Sequence, residues 1–313
     1  MYYAYLRGKQ YELLTIKENA QLFSENNIVP IIEPVKKNLG GLRRTIDALV
    51  DEDADFILIA NPEVGELNRD TTSLEETIFH EVLTKYENYS IGYILSGRVS
   101  LSDVEQFVGK YANDNIALIH SDFQGGKQLK NKLKDFENVA EHIFVEGHSG
   151  KLYQKKFKNS DTKRILLRDG FKKRRNVDYP DDEHFSDLHA TYPDEGMDGF
   201  GDYLTVGNQY SETGGPAYAV AVHLTYLDED EDMRIKHFIS NRTDTPTDPA
   251  GKFLEALEKL ISAGDDPLAE IFESSAYAEF KELYRKEHFP GLGYVKKLSM
   301  KHHIELIADY LHE

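Results

Sequence analysis

The chain has 313 residues, 37 Lys+Arg against 55 Asp+Glu for a formal net charge of −18, and no cysteine. Its length allows one large α/β barrel or two smaller domains. Its charge opposes broad electrostatic binding to nucleic acid or an anionic membrane, and the lack of cysteine excludes disulfides, thiol catalysis and thiolate metal sites.

The start MYYAYLRGKQ lacks the charged and apolar segments of a secretory signal, and no run reaches the ~18 apolar residues of a membrane span. A soluble cytoplasmic protein is the expectation. Strand one is expected at Tyr2 to Leu6, followed by a helix from Gln10 to Phe23. IVPIIE, ending at Glu33, gives strand two, and Leu39 to Val50 turns back as a helix; Pro30 implies a late start or a bulge, since proline donates no ladder hydrogen bond. FILIAN, ending at Asn61, opens a third unit with Thr72 or Ser73 as helix cap. IGYILSGR, ending at Arg98, opens a fourth with Ser100 or Ser102 as cap. NIALIHSD, HIFVEGH and RILLRD then end at Asp122, His148 and Asp169.

Continuous Ile/Val/Leu runs of this kind read as parallel strands buried on both faces, joined by crossover helices. With Gly199 to Leu204 as an eighth strand, the fold class is a (β/α)8 TIM-barrel-like α/β protein. Tyr218 to Leu227 and Met233 to Ser240 read as an antiparallel hairpin whose acidic turn, Asp228 to Asp232, stays solvated. Helices are expected near Pro249 to Ser262, Pro267 to Glu287 and Ser299 to His312, their apolar faces packing on the barrel or a partner. The expected division is a barrel over 1–210 and a hairpin with C-terminal helices over 211–313.

In parallel sheets and barrels the chemistry lies at the carboxyl ends of the strands, where the polar residues that end these runs are found. Residues two apart share a strand face, so His120 with Asp122 and Glu146 with His148 are expected to converge if strands five and six are neighbours. Two histidines and two carboxylates suit a divalent zinc, manganese or iron ion; they suit metal-free acid–base catalysis equally, and local hydrogen bonding would also account for them. Glu33 and Asp202 complete the candidate catalytic set. Arg7, Lys9, Lys36, Arg98 and Arg168 are the candidate anion-binding residues, arginine being suited to phosphate or carboxylate through its planar fork of donors. An Arg7–Glu33 ion pair is the structural alternative. Two basic clusters, Lys172 to Arg175 and Lys151 with Lys155, Lys156 and Lys158, read either as local anion-binding patches or as solvated surface. His302 and His303 are adjacent on a helical segment, one expected to face the core or a neighbour and the other water.

Tyr5-Leu6-Arg7-Gly8-Lys9-Gln10-Tyr11-Glu12, Pro30-Ile31-Ile32-Glu33-Pro34 and Gly199-Phe200-Gly201-Asp202-Tyr203 together resemble the Beta protein family of bacteria and phages. The resemblance covers roughly the first two thirds of the chain. It implies a barrel-like protein with a role in phage–host conflict, and transfers no catalytic residue. Two functions follow as expectations. One is a hydrolase or lyase acting on a small anionic or phosphorylated ligand; the other is a catalytically idle barrel that binds a protein partner.

Overall fold

A computed structural model describes residues 1–158, 162–266 and 270–312, with the backbone alone at Lys85. By contact density the chain falls into two units, Met1–Arg168 with Thr191–Asp202, and Asp169–Ala190 with Tyr203–Glu313. The chain passes between the units at Arg168/Asp169, Ala190/Thr191 and Asp202/Tyr203.

The first unit is a closed barrel of eight parallel strands. In barrel order these are β1 (Tyr2–Arg7), β2 (Ile28–Glu33), β3 (Phe56–Ile59), β4 (Tyr89–Leu95), β5 (Asn115–His120), β6 (Val139–Val145), β7 (Lys163–Leu167) and β9 (Gly199–Asp202); β8 (Asp182–Ser186) lies elsewhere. The expected (β/α)8 class is therefore observed. Pro30 is accommodated because β2 pairs with β3 only at Ile31 and Ile32, beyond the residue that has no N–H to give.

Alternation along the strands sorts the side chains. The Tyr3 hydroxyl reaches Glu141 of β6, which is not a neighbour of β1, so Tyr3 and its partners in parity, Tyr5 and Arg7, point into the barrel. Ile57, Ile59 and Ile119 crowd Gly92 from inside, each burial contributing about 1.5–3 kcal/mol. Glycine is required at 201: a Cβ there would lie 2.3 Å from the Tyr3 carbonyl oxygen, where β9 closes on β1.

Local signals explain several helix boundaries. Ser100, not Ser102, caps the helix Leu101–Lys110, its Oγ accepting from the Asp103 N–H while Asp103 Oδ2 accepts from the Ser100 N–H. Neither Thr72 nor Ser73 caps its helix; Thr72 begins it, and its N–H donates to Asp70 Oδ1. The helix expected over Gln10 to Phe23 is two, Gln10–Glu18 and Ala20–Asn26, broken at Asn19.

In the second unit β10 (Ala221–Leu227) and β11 (Met233–Ile239) form the expected hairpin, and β8 adds a third antiparallel strand in the order β10-β11-β8. Helices Pro249–Gly264, Ser275–Arg285 and Leu292–His312 bury their apolar faces against this sheet and one another, through Val222, Leu224, Phe253, Leu257, Phe280 and Leu298. The last helix starts earlier than expected, just after Gly291 turns the chain at φ 96°. Of the helix expected from Pro267, residues Pro267, Leu268 and Ala269 lie outside the described residues. No described helix is long and apolar enough to cross a membrane.

Candidate active site at the carboxyl end of the barrel

β1 and β2 pair with Arg7 opposite Glu33, so the last inward residues of the two strands meet at the barrel's carboxyl end. Glu33 is 2% exposed. Its Oε2 accepts from the Tyr5 hydroxyl at 2.9 Å and lies 3.3 Å from Arg7 Nε, while Oε1 accepts from the Glu63 N–H at 3.0 Å. Both of its oxygens are therefore engaged. The expected ion pair is present, and it is reinforced by a tyrosine and a backbone amide.

Next to this pair is Glu12, in the first turn of the helix that follows β1. Part of its surface is open, yet its carboxyl is buried among protein atoms. That loss of hydration pushes its pKa from 4.5 up to about 7, against the pull of Lys9, Arg7 and a backbone hydrogen bond at Arg7, with the Glu33 charge adding to the rise. A carboxyl that burial pushes up to about 7 beside two cationic side chains is suited to acid–base chemistry.

The other expected residues are placed elsewhere. β5 ends at His120, and Asp122 adopts φ 68°; β6 ends at Val145, and Gly147 turns at φ 82°. Strand alternation therefore stops before Asp122 and Glu146, and the four groups do not converge. His120 is fully buried on the outer face of the barrel wall, its Nε2 2.9 Å from His142 Nδ1 and its Nδ1 2.8 Å from the Tyr153 hydroxyl, among Phe144 and Phe157. Burial holds His120 well below the usual imidazole range and His142 at about 3. Asp122 and His148 form an exposed pair at 2.7 Å, and Glu146 binds Arg168 through both oxygens at 2.8 and 3.0 Å. Asp202, also on the outer face, accepts from the Tyr2 hydroxyl at 2.7 Å. Lys36 meets Glu66 at 3.0 Å, Lys9 is half-buried beside Glu12, and Arg98 is exposed beyond the end of β4. Among the described residues no group of three or more His, Asp or Glu side chains is gathered to hold a metal ion. The site thus contracts to Tyr5, Arg7, Lys9, Glu12 and Glu33.

In the second unit Lys172 and Arg174 both pair with Glu183, and Arg175 with Asp178, so this basic cluster is largely neutralised. Glu183 in turn lies 3.3 Å from His237 Nε2, and His237 Nδ1 lies 2.7 Å from Nδ1 of His223, directly opposite on the hairpin. His302 and His303 are both fully buried, correcting the expectation that one faces water; His302 bonds to Ser274 and the Thr225 carbonyl, His303 to the Thr225 hydroxyl. Sequence reasoning missed Glu12 as a site residue; its one signal is its place in the first helical turn after Arg7-Gly8-Lys9. It also missed Asn61 as a clamp, whose amide donates to the Ile94 carbonyl and accepts from the Ile94 N–H across β3 and β4.

The fold and this rim define an eight-stranded parallel (β/α) barrel with a charged cluster at its carboxyl end. No family model matches the chain, and no curated protein matches it in sequence. Among solved structures it is similar to a Coccidioides immitis protein described as a member of the dihydrodipicolinate synthase family, with 9% identity, 96% of this chain and 81% of that chain covered, and a TM-score of 0.41. The fold assignment rests on the closed strand order itself.

Proposed function

We propose that the carboxyl end of the barrel is an acid–base centre acting on a small anionic ligand, in a reaction of hydrolase or lyase type. Arg7 and Lys9 hold the anion, Glu12 takes up and returns the proton, and Glu33, fixed by Tyr5 and the Glu63 amide, keeps Arg7 in place. The observation that carries this reading is the Arg7–Glu33 pair at the barrel's carboxyl end with Glu12 beside it, whose carboxyl burial pushes up to about 7. The resemblance to the Beta protein family supports placing that activity in a conflict between bacteria and phages.

The experiment combines carboxyl-carbon NMR with a thermal-shift titration of inorganic phosphate and malonate. One glutamate is expected to titrate near pH 7 and to vanish from the spectrum in Glu12→Gln. At least one anion should raise the wild-type midpoint, and the rise should be lost in Arg7→Met. A Glu12 midpoint near 4.5, or no response to either anion, sinks the reading. A second reading, a barrel that binds a protein partner, draws on the exposed pairs Asp122–His148 and Glu146–Arg168, whose polar groups at the strand ends are occupied by each other.

A further inference from the structure

In the second unit β11 lies between β10 and β8, and strand pairing lines up Glu183, His237 and His223 on one face of the sheet. His237 Nε2 lies 3.3 Å from Glu183 Oε1, and the Nδ1 atoms of His237 and His223 are 2.7 Å apart. Burial, with His237 and Lys296 adding, holds His223 well below the usual imidazole range; burial lowers His237 too, against the pull of Glu183, so both rings are neutral at pH 7. A carboxylate only accepts, which puts the proton of His237 on Nε2. Its Nδ1 therefore accepts from the Nδ1–H of His223, and a lone pair is left on His223 Nε2. No hydrogen bond engages that nitrogen, and it is not sealed from solvent, since His223 is only half-buried. Phe171 and Tyr179 hold the ring in T-shaped contacts, with centroids 5.2 and 4.9 Å away. The charge acting on His223 is positive: Lys296 of the last helix is exposed, in no ion pair among the described residues, and close enough to oppose protonation of the ring. Glu183 acts on His237 instead, and against the effect of its own burial Arg174 and Lys172 keep its carboxyl below the usual carboxylate range.

We propose that His223 is a phosphoryl-accepting histidine, whose Nε2 takes the phosphoryl group of a small donor such as an acyl phosphate while His237 and Glu183 receive its proton. The Nε2 lone pair forms the P–N bond as the P–O bond breaks, and the leaving carboxylate departs with that electron pair. The ring is then cationic, and its Nδ1 proton passes across the 2.7 Å contact to His237 Nδ1. His237 becomes an imidazolium held by the Glu183 carboxylate, and it returns the proton when the phosphoryl group moves on to water. An anionic electrophile is preferred because the one unpaired charge beside the free nitrogen is the Lys296 ammonium, which meets the phosphoryl oxygens. Glu183 is a positioning residue, fixing the tautomer of His237. The site shares no residue with the Arg7–Glu33 cluster and does not rest on the reading given to it.

The test incubates the full chain with acetyl phosphate and, separately, with phosphoramidate, whose leaving group is ammonia, and reads phosphohistidine by phosphorus NMR and peptide mass spectrometry in alkaline solution. Wild type should gain one acid-labile Nε2-phosphohistidine at His223 from at least one donor, and His223→Gln should lose it. His237→Gln should slow labelling about a hundredfold, the size of a lost proton acceptor. Glu183→Gln should slow it less and shift its pH profile, because His237 then takes up the proton less readily. Lys296→Met changes an exposed side chain and keeps the test decisive should the sheet variants fold poorly: it should raise the donor concentration needed for half the limiting rate severalfold and leave that rate unchanged. No label from either donor overturns the proposal, as does label spread over other histidines in preference to His223. So does labelling at His223 that proceeds equally well in His237→Gln and Lys296→Met. The label is read on His223 itself and anion binding at Arg7 by the phosphate titration, so either site can fail without the other.

Discussion

The two ends of the barrel each hold one buried glutamate and one tyrosine of β1, and they treat them differently. At the carboxyl end Glu33 receives Tyr5, the Glu63 amide and Arg7. At the amino end Glu141 receives Tyr3 on one oxygen, and burial raises its pKa against the opposing pull of Tyr3, Lys163 and the Ser90 hydroxyl. The same strand therefore fixes one carboxylate as a saturated anchor and leaves the other short of donors. Burial alone does not decide how firmly a carboxylate is held; the donors aimed at it do.

The largest effect expected from this contrast is at Glu33. Glu33→Ala strands the mostly buried Arg7 charge together with the Tyr5 hydroxyl and the Glu63 amide, and should cost about 3–5 kcal/mol in urea unfolding. Glu141→Gln should cost about 1 kcal/mol or less at pH 7, because it removes a poorly hydrated charge. Equal losses at the two positions would break the comparison.

The tyrosines sharpen it at smaller scale. Tyr3→Phe removes the hydroxyl 2.8 Å from Glu141, and should cost about 2–3 kcal/mol, the penalty for a buried acceptor left unmade. Tyr5→Phe leaves Glu33 with its amide and its arginine, so about 1 kcal/mol is expected. The reverse order, measured under the same conditions, would show that the Ser90 hydroxyl makes up for the loss of Tyr3.

Much of this architecture is legible in the sequence. Runs ending at Glu33, Arg98, Asp122, His148 and Asp169 located the parallel strands, and Arg7 opposite Glu33 followed from the ends of two adjacent ones. What is not legible has physical causes. A strand apolar on both faces does not declare which parity looks inward, so nothing in NIALIH or HIFVEGH says that His120 and His142 lie on the outer wall. Alternation predicts direction only while the chain stays extended, and Asp122 and Gly147 leave that region at once. β8 went unread because its sequence DEHFS buries only Phe185 and Ser186 well. Glu12 went unread because its pKa comes from crowding, which sequence spacing does not carry.

Glu12 gives the next prediction, where the sign matters. Its folded pKa of about 7 exceeds the ordinary 4.5, so the folded chain holds the proton more tightly. Below 4.5 both states are protonated; as pH rises from there through 7, the folded state alone resists ionisation and stability falls. A full shift of this size would exceed 3 kcal/mol, but partial exposure screens it, so about 1–2 kcal/mol is expected. Glu12→Gln should therefore be more stable than wild type at pH 8 and indistinguishable from it at pH 4. A variant equally stable or weaker at pH 8 would place the Glu12 carboxyl in an ordinary, hydrated environment.

The smallest effects belong to the exposed pairs beyond the strand ends. Asp122 and His148 are 59% and 40% exposed, Glu146 and Arg168 43% and 22%. Water competes for such pairs and salt screens them, so Asp122→Asn and Glu146→Gln should each change stability by less than about 0.5 kcal/mol. Neither substitution should alter the anion response that requires Arg7. These residues stand where a barrel's chemistry is expected, so their silence would be informative: it would assign the carboxyl end's function to the β1–β2 side, where the donors converge. A large loss of anion response in Glu146→Gln, with stability unchanged, would instead carry the site around the rim to β6 and β7 and remove Glu12 from its centre.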